Sequence, residues 1–310
     1  MDIQILLLLQ QFREAIGGCL NSFFAFITTV AVDYYLLIPA LVLFWAVDKK
    51  KGARVLSAYG TGCVLNALMK AAFCVYRPWI RDSRVKPLDS VMSGATGYSF
   101  PSGHSTSTAS FYGGMISQYR NYKPLCVFCV LMVLLTMFSR LYVGVHTPQD
   151  VLAGAALGVI AALFVCLASS VTEKYRNGDV FVLIAAVVLC AGALLLTLLR
   201  NYPMDYVDGK LIVDPATMSI NGFRDPGRFF GIVVGWFIER RFVKFEIRGT
   251  ALQKVARCVF GGLFCVFYFT VVISSIGKLI RIGMVYFLLE ASLPILLMTV
   301  YPLIFTKLQK

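Results

Sequence analysis

Nine apolar blocks dominate this 310-residue sequence, and most of them are long enough to cross a lipid bilayer. A membrane-spanning helix needs about 20 predominantly apolar residues. Only 15% of the residues are charged, whereas a soluble domain usually has about 25%. The third, fourth and seventh blocks are short or amphipathic. We therefore predict an all-α, polytopic membrane protein with spans at residues 23–47, 53–75, 105–118, 124–139, 149–171, 180–199, 228–242, 253–275 and 283–305.

The regions between and before these blocks suggest four parts. Residues 1–20 are apolar at helical spacing but include Gln, Arg and Glu, which predicts a helix lying on the membrane surface. No basic stretch precedes this run and no small-residue cleavage site follows it, so we do not expect a signal peptide. Residues 21–200 form a predicted core, and 227–310 add further transmembrane helices. Residues 201–226 form a predicted exterior loop, with a possible β-hairpin at Asp208-Gly209.

The net charge of +13 could indicate binding to nucleic acid, but the basic residues cluster at the ends of the apolar blocks. With nine spans, sixteen of them fall on one side, which the positive-inside rule assigns to the cytoplasm. We therefore expect membrane lipids and no nucleic acid as partners, with the opposite side facing the exterior. The sixteen are Lys49, Lys50, Lys51, Arg54, Arg120, Lys123, Lys174, Arg176, Arg240, Arg241, Lys244, Arg248, Lys254, Arg257, Lys307 and Lys310.

The nine cysteines all lie in or beside apolar blocks. Cysteine in such surroundings usually behaves as a small buried hydrophobic residue. We expect neither a disulfide framework nor a metal site from them.

Three polar motifs interrupt the apolar pattern on the predicted exterior side. In the first, Lys70 precedes Arg77-Pro78 by seven residues, so on one helix the two cations would lie nearly over one another before the proline ends the helix. A charge inside a span is costly unless it faces a polar cavity or a partner. The pair predicts an anion pocket, although Lys70 alone could instead extend its amine to the membrane surface.

The second motif, Pro101-Ser102-Gly103-His104, opens the third apolar block. A helix N-terminus presents unpaired backbone N–H groups, and glycine lets an anion approach them closely. The Ser102 hydroxyl could also donate to a phosphate oxygen. The same residues could serve only as an ordinary helix start.

The third motif contains Arg140, His146 and Asp150. If a helix begins at Thr147-Pro148, with proline at its first position, His146 and Asp150 fall on one side. The carboxylate could then orient one ring nitrogen and leave the other free for attack, which is typical of an activated nucleophile. A histidine that only caps or packs against a helix is the alternative. The three motifs together suggest phosphoryl transfer through a phosphohistidine.

These motifs resemble the K-x6-RP, PSGH and SR-x5-H-x3-D signature of the type 2 phosphatidic acid phosphatase superfamily over residues 70–150. The resemblance implies a six-helix membrane core and metal-independent dephosphorylation without a cofactor. It implies that His146 is the nucleophile, Asp150 its orienting partner and His104 the general acid. The implied phosphate-binding residues are Lys70, Arg77, Ser102, Gly103 and Arg140. The helices beyond about residue 200 look similar to those of longer bacterial members, and both undecaprenyl-diphosphate-phosphatase-like and sphingosine-phosphate-phosphatase-like branches stay open.

The expected function is hydrolysis of a lipid phosphate or lipid diphosphate on the exterior leaflet of a bacterial plasma membrane. A lipid phosphotransferase and a transporter or binding protein for anionic lipids are the alternatives. Three cations after the first motif, Arg81, Arg84 and Lys86, could reach a second phosphate or could be solvated loop charges. Nothing in the sequence defines the oligomeric state.

Overall fold

The computed structural model describes residues 2–32, 34–207 and 209–307, and the chain there is almost entirely helical. The first half comprises α1 (Asp2–Ala15), α2 (Asn21–Thr29), α3 (Tyr34–Val42, continued by a π-helical turn Leu43–Val47), α4 (Lys49–Phe73), α5 (Pro78–Arg81), a 3-10 turn (Asp89–Gly94), α6 (Gly103–Gln118), α7 (Lys123–Tyr142), α8 (Pro148–Lys174) and α9 (Gly178–Leu199). A hairpin of β1 (Tyr206–Val207) and β2 (Lys210–Leu211) follows. The second half comprises α10 (Pro215–Ile238, then a π turn Glu239–Val243), α11 (Ala251–Phe267, then a π turn Tyr268–Ile273), α12 (Ser274–Leu279), α13 (Gly283–Ile295, then a π turn Leu296–Val300) and α14 (Tyr301–Lys307).

Six of the described helices are long and apolar enough to cross a membrane, or seven if the bent pair α2 and α3 counts as one span. The all-α polytopic prediction is confirmed, but the count of nine spans is too high by this criterion. Two predicted spans, α6 and α10, are helices in the bundle that do not meet it. Helix α6 has only 16 residues and many hydroxyl side chains, and α10 has Arg224, Asp225 and Arg228 near its middle.

The first predicted span, residues 23–47, is broken rather than continuous. Helices α2 and α3 are bent by 57° relative to each other. Helix α2 packs on α7, where the Phe24 and Tyr142 rings are 4.3 Å apart, whereas α3 packs on α4 and α11. The chain changes neighbours at the break, because one straight helix could not follow both α7 and α4. Asp33, which belongs to this predicted span, lies outside the described residues.

The centre of the bundle is formed by α6, which packs between α4, α7 and α8. Small residues permit this close packing. A Cβ added at Gly154 of α8 would lie 2.6 Å from the Ser102 carbonyl oxygen, and one at Gly158 would lie 2.6 Å from the Thr106 carbonyl oxygen. Glycine at these positions lets helix backbones approach directly, as is common where membrane helices pack. The N-terminus of α6 is thereby held beside the N-terminus of α8.

The C-terminal helices are integrated into the same bundle through α10, which packs against α13, α4 and α9. A Cβ added at Gly227 would lie 2.5 Å from the Phe287 carbonyl oxygen, and one at Gly231 would lie 2.2 Å from the Ala291 carbonyl oxygen. The two backbones are therefore in direct contact. The indole of Trp45 also donates a 2.9 Å hydrogen bond to the Leu297 carbonyl oxygen, which joins α13 to the N-terminal half.

The segment predicted as an exterior loop, 201–226, is shorter than expected because α10 already begins at Pro215. Asp214 caps this helix by accepting a 3.0 Å hydrogen bond from the Ala216 N–H, and proline occupies the first helical position. The predicted hairpin is present, with Tyr206 paired to Leu211, and Gly209 has a left-handed φ of 72°. Asp208 of the predicted turn lies outside the described residues.

The N-terminal helix α1 packs across the end of the bundle that contains the polar motifs. The buried Arg13 guanidinium donates to the carbonyl oxygens of Lys86 at 2.6 Å and Tyr142 at 3.3 Å. Leu8 on another face is 64% exposed. The helix therefore has one attached face and one open apolar face, and its placement on a membrane surface stays a prediction.

Candidate active site

A cavity of about 490 Å³ opens at the end of the bundle where the three motifs meet. Six of the eight predicted site residues line it, namely Lys70, Arg77, Gly103, His104, Arg140 and His146. The loop between α4 and α6, which joins the first two motifs, supplies part of the wall with Ser90, Thr96 and Tyr98. The sequence motifs thus converge on one polar space.

Lys70 and Arg77 both face this space, but not from one continuous helix as predicted. Helix α4 ends at Phe73 because Cys74 adopts a left-handed conformation with φ 48° and donates its N–H to the Lys70 carbonyl oxygen. The Lys70 amine donates to the Tyr98 carbonyl oxygen at 2.8 Å. The Arg77 guanidinium donates to the Gly97 carbonyl oxygen at 3.1 Å. Each cation is therefore held by backbone oxygens of the loop between α4 and α6.

The hydrogen bonds of His146 define its tautomer. Arg77 Nη1 lies 2.9 Å from His146 Nε2, and because a guanidinium can only donate, Nε2 must be the unprotonated acceptor. The ring proton then resides on Nδ1, 3.3 Å from Ser99 Oγ. Burial, together with the positive charges of Arg77 and Arg140, lowers the pKa of His146 well below its ordinary value. The imidazole is thus held neutral with a lone pair on Nε2.

Asp150 lies on the Nδ1 side of His146, with Ser99 as a second contact of both residues. Its Oδ2 is 3.5 Å from His146 Nδ1, and it accepts a 2.5 Å hydrogen bond from Ser99 Oγ. The same oxygen accepts from the Thr147 N–H at 2.8 Å, completing a capping box at the start of α8. The predicted helix start at Thr147-Pro148 is correct, and Ser99 is a residue that the sequence did not single out.

His104 and Arg140 also line the cavity and lie close to each other. Arg140 Nη1 lies 3.4 Å from His104 Nε2. Arg140 is only 1% exposed, and its Nε has no hydrogen-bond partner among the described residues. A buried unsatisfied donor is costly and usually marks a place where another group binds. An anion in the cavity would satisfy it.

The second motif begins α6 as predicted, but its serine and glycine differ in position. Ser102 is fully buried and caps the helix, accepting from the Ser105 N–H at 3.4 Å. Ser102 is not among the described residues that line the cavity. Its role as a phosphate ligand therefore stays a prediction. Gly103 does line the cavity, and among the described residues outside its own helix backbone only Asn66 Oδ1, at 3.4 Å, would lie within 4 Å of a Cβ added there.

The three cations that follow the first motif are not part of the described cavity wall. Arg81 pairs with Asp2 at 2.7 Å, and Arg84 makes a bidentate pair with Asp82 in the same loop. Hydrogen bonds from Arg84 lower the pKa of Asp82 to about 2. The hypothesis that Arg81, Arg84 and Lys86 reach a second phosphate is therefore not supported, because Arg81 and Arg84 are paired with carboxylates of α1 and of their own loop.

A set of polar side chains from α10, not predicted from the sequence, also forms part of the cavity wall. Asn221, Arg224, Asp225 and Arg228 all line the space. Their spacing places them on one face of the helix. A signal existed in the sequence, since three charges in an otherwise apolar helix indicate a polar environment. The sequence instead predicts Asn221, Arg224 and Asp225 in the exterior loop 201–226, and this prediction is wrong because α10 already begins at Pro215.

A second, apolar cavity of about 370 Å³ adjoins the polar one between α2, α3, α6 and α7. Tyr35 lines both cavities. Apolar side chains such as Leu36, Phe111 and Met132 form most of its wall. Polar and apolar spaces therefore meet at the break in the first span.

Potential metal ligands are not clustered in the part of the chain that the structure describes. No group of three or more His, Cys, Asp or Glu side chains is placed there to hold a metal ion. The motif side chains that line the cavity are cations and imidazoles, a set that suits an anion.

Two family profiles match the chain. The PAP2 superfamily matches residues 51–174, and the transmembrane extension of PAP2 superfamily phosphatases matches residues 223–310. The first match contains all three motifs. The second contains most of α10 and the helices after it. No solved structure gives a significant match.

Three curated relatives each match about half of the chain. Undecaprenyl-diphosphatase BcrC of Bacillus subtilis is 33% identical over 149 residues, which is 46% of this chain and 72% of the relative. Undecaprenyl-diphosphatase of Sulfolobus acidocaldarius is 29% identical over 140 residues, 45% of this chain and 66% of the relative. Phosphatidylglycerophosphatase B of Bacillus subtilis is 29% identical over 172 residues, 51% of this chain and 79% of the relative. Together with the motif geometry, these matches show that the chain belongs to the PAP2 superfamily of membrane lipid phosphatases.

Proposed function

We propose that this protein hydrolyses the phosphate of a membrane lipid through a phosphohistidine on His146. The observation that carries the proposal is the neutral His146 in the wall of a cavity that also contains Lys70, Arg77 and Arg140. Phosphoryl transfer asks a protein mainly to position its reactants and to stabilise negative charge. Three cations and a nucleophile that line the same cavity meet both requirements.

Binding of phosphate would activate the nucleophile. In the structure an Arg77 N–H points at His146 Nε2 and occupies its lone pair. A phosphate oxygen is a stronger acceptor for a guanidinium than a neutral imidazole is. Arg77 would therefore turn its hydrogen bond to the substrate, while the Nδ1 proton stays directed toward Ser99 and Asp150. The Nε2 lone pair is then free to attack.

In the first step, His146 Nε2 forms a bond to phosphorus while the bond from phosphorus to the leaving oxygen breaks. His104 supplies the proton that this oxygen takes up, and the bound phosphate dianion favours the protonated imidazolium beside it. In the second step, a water molecule attacks phosphorus, His104 accepts its proton and the N–P bond breaks. Inorganic phosphate and the original imidazole result, so no metal or other cofactor enters the balance.

The surroundings of the site support a lipid as the substrate and the exterior as its compartment. The apolar cavity next to the polar one could hold the start of an alkyl tail while the phosphate occupies the cation cluster. Basic residues such as Lys49, Arg240 and Lys244 lie at the end of the helices opposite the site. By the positive-inside rule that end faces the cytoplasm.

The test is phosphate release from a panel of lipid phosphates by the purified protein, with and without a chelator. His146→Ala should lower turnover by at least ~10³-fold, since removing a nucleophile removes the reaction path that depends on it. Leu8→Ala on the open face of α1 is the matched control and should keep wild-type turnover. The chelator should leave the rate nearly unchanged.

The outcomes distinguish the proposal from its alternatives. Near wild-type turnover by His146→Ala, or a chelator loss restored by added magnesium, would contradict the mechanism. Transfer of labelled phosphate to a sugar or lipid hydroxyl in preference to water would identify a phosphotransferase. Movement of an anionic lipid between leaflets without phosphate release would identify a transporter.

A further inference from the structure

The cavity is much larger than a phosphate group needs. Its volume of about 490 Å³ falls in the range of whole ligand sites, roughly 300–1,000 Å³. Lys70, Arg77, Arg140 and the two histidines account for one side only. Another part of the wall is the face of α10 that presents Asn221, Arg224, Asp225 and Arg228, which we call the α10 face. No step of the proposed reaction uses it.

Buried contacts hold the α10 face in place. Glu290 of α13 is 1% exposed and binds both arginines: Arg224 Nη2 donates to its Oε1 at 3.0 Å, and Arg228 Nε donates to its Oε2 at 2.9 Å. Arg228 also donates to the Tyr59 hydroxyl of α4 at 2.9 Å. Guanidinium groups fixed in this way are preorganised, so a ligand that meets them loses little binding energy to ordering the site.

The charge balance of the α10 face differs from that of the phosphate side. The two guanidinium groups of Arg224 and Arg228 are matched by the carboxylates of Glu290 and Asp225. Asp225 is the only acidic residue among the described lining residues, and it interacts electrostatically with Lys70. A second phosphate on the substrate would approach this carboxylate. A neutral group with hydroxyls would instead accept from Arg224 and donate to Asp225.

We infer that the α10 face is a subsite for an uncharged, hydroxyl-bearing headgroup that links the scissile phosphate to the lipid. This inference rests on the proposed phosphatase function and names its substrate class: phosphorylated glycolipids or glycerol-based lipids, in preference to lipid diphosphates. The subsite is built mainly from the C-terminal extension, with Tyr59 of α4 as its support. The extension therefore selects the headgroup, and the motif-bearing core binds the phosphate.

The test compares three substrates with one common alkyl tail: an alkyl phosphate, an alkyl diphosphate and an alkyl glucoside 6-phosphate. For the wild-type protein, kcat/KM for the glucoside phosphate should exceed that for each of the other two compounds by about tenfold or more. One hydrogen bond between a substrate hydroxyl and a charged side chain contributes roughly a factor of ten. Arg224→Gln and, separately, Asn221→Ala should reduce that preference toward one. Arg281→Gln, which removes an arginine paired with Asp214 away from the cavity, is the matched control and should retain the preference.

A binding measurement separates this inference from the proposed function. The affinity of His146→Ala protein for the alkyl glucoside 6-phosphate should fall about tenfold when Arg224→Gln is added, whether or not the parent protein turns the compound over. Binding preference without any turnover would refute the proposed function and leave the subsite standing. Tighter binding of the diphosphate, or equal losses on all three compounds in a variant with an unchanged melting temperature, would overturn the subsite. Free glucose 6-phosphate, which has the headgroup but no alkyl tail, separates the contribution of the headgroup from that of the tail. Displacement of the bound alkyl glucoside 6-phosphate by free glucose 6-phosphate supports the subsite.

Discussion

Ser99 links the nucleophile to its carboxylate, and replacing it by alanine tests the tautomer argument. Its hydroxyl donates to Asp150 at 2.5 Å and lies 3.3 Å from His146 Nδ1. Because the single hydroxyl proton is directed to Asp150, the oxygen can only accept from the imidazole. Ser99→Ala therefore removes an acceptor from Nδ1 and a donor from the carboxylate at once, and Asp150 remains 3.5 Å from the ring.

The expected loss follows from these two hydrogen bonds. The bond to the carboxylate involves a charge and is worth about 1.5–3 kcal/mol, and the weaker bond to the imidazole about 1 kcal/mol. Part of this energy is recovered because Asp150 can still reach the ring. We expect kcat to fall about 10- to 100-fold, with KM nearly unchanged, since Ser99 does not line the cavity among the described residues.

The assay is steady-state phosphate release with the best lipid substrate, alongside a melting curve in detergent. Ser93→Ala is the control, because Ser93 lies in the same loop and lines the cavity, and no described hydrogen bond joins its side chain to His146 or Asp150. Asp150→Asn should be slower than Ser99→Ala, since it also weakens the cap of α8. A Ser99→Ala enzyme within twofold of wild type would refute the orienting role. So would a rate loss that only mirrors a lower melting temperature.

Three further predictions concern pH, packing and topology. Since burial and nearby cations lower the pKa of His146 below its ordinary 6.5, the neutral nucleophile persists as pH falls through 6.5. As pH is lowered, kcat/KM should begin to fall only below pH 6.5, and this should hold for substrates whose phosphate groups differ in pKa. A fall that begins above pH 6.5 with every substrate would contradict the lowered pKa of His146. Gly231→Ala should lower stability by about 1–3 kcal/mol because its methyl group would meet the α13 backbone, whereas Gly192→Ala, with open space around it, should be neutral or stabilising in the same thermal unfolding measurement. A cysteine at Ser90 should react with an impermeant thiol reagent added outside intact cells and one at Lys50 should not; the reverse labelling would place the site in the cytoplasm.

Features set by local sequence could be predicted. The apolar blocks became helices, and the Thr147-Pro148 start of α8 formed as expected because the cap and the proline act within one turn. Six of the eight predicted site residues also line one cavity, since the three motifs lie at helix ends on the same side of the bundle. The prediction placed Lys70 and Arg77 on one helix and failed there, because Cys74 takes a left-handed conformation that few non-glycine residues adopt.

Features set by distant contacts could not be predicted. Ser99 is one serine among several in its loop, and its importance depends on how that loop folds onto α8. The charges of α10 are satisfied by Glu290, which is 62 residues beyond Arg228 in the chain. The break between α2 and α3 arises because the chain leaves one packing partner for another. None of these contacts is visible in the periodicity of a single segment.

The glycines of α10 have a consequence for the dimensions of the cavity. Gly227 and Gly231 let α10 rest directly on α13, and an adjoining face of the same helix presents Arg224 and Asp225 to the cavity. The position of α10 in the cavity wall therefore depends on two glycines that do not themselves line the cavity among the described residues. A side chain introduced there would displace α10 from α13 and shift this part of the cavity wall. Natural variation at Gly227 and Gly231 would thus change the size of the headgroup that the cavity accepts, without altering any residue that binds the headgroup.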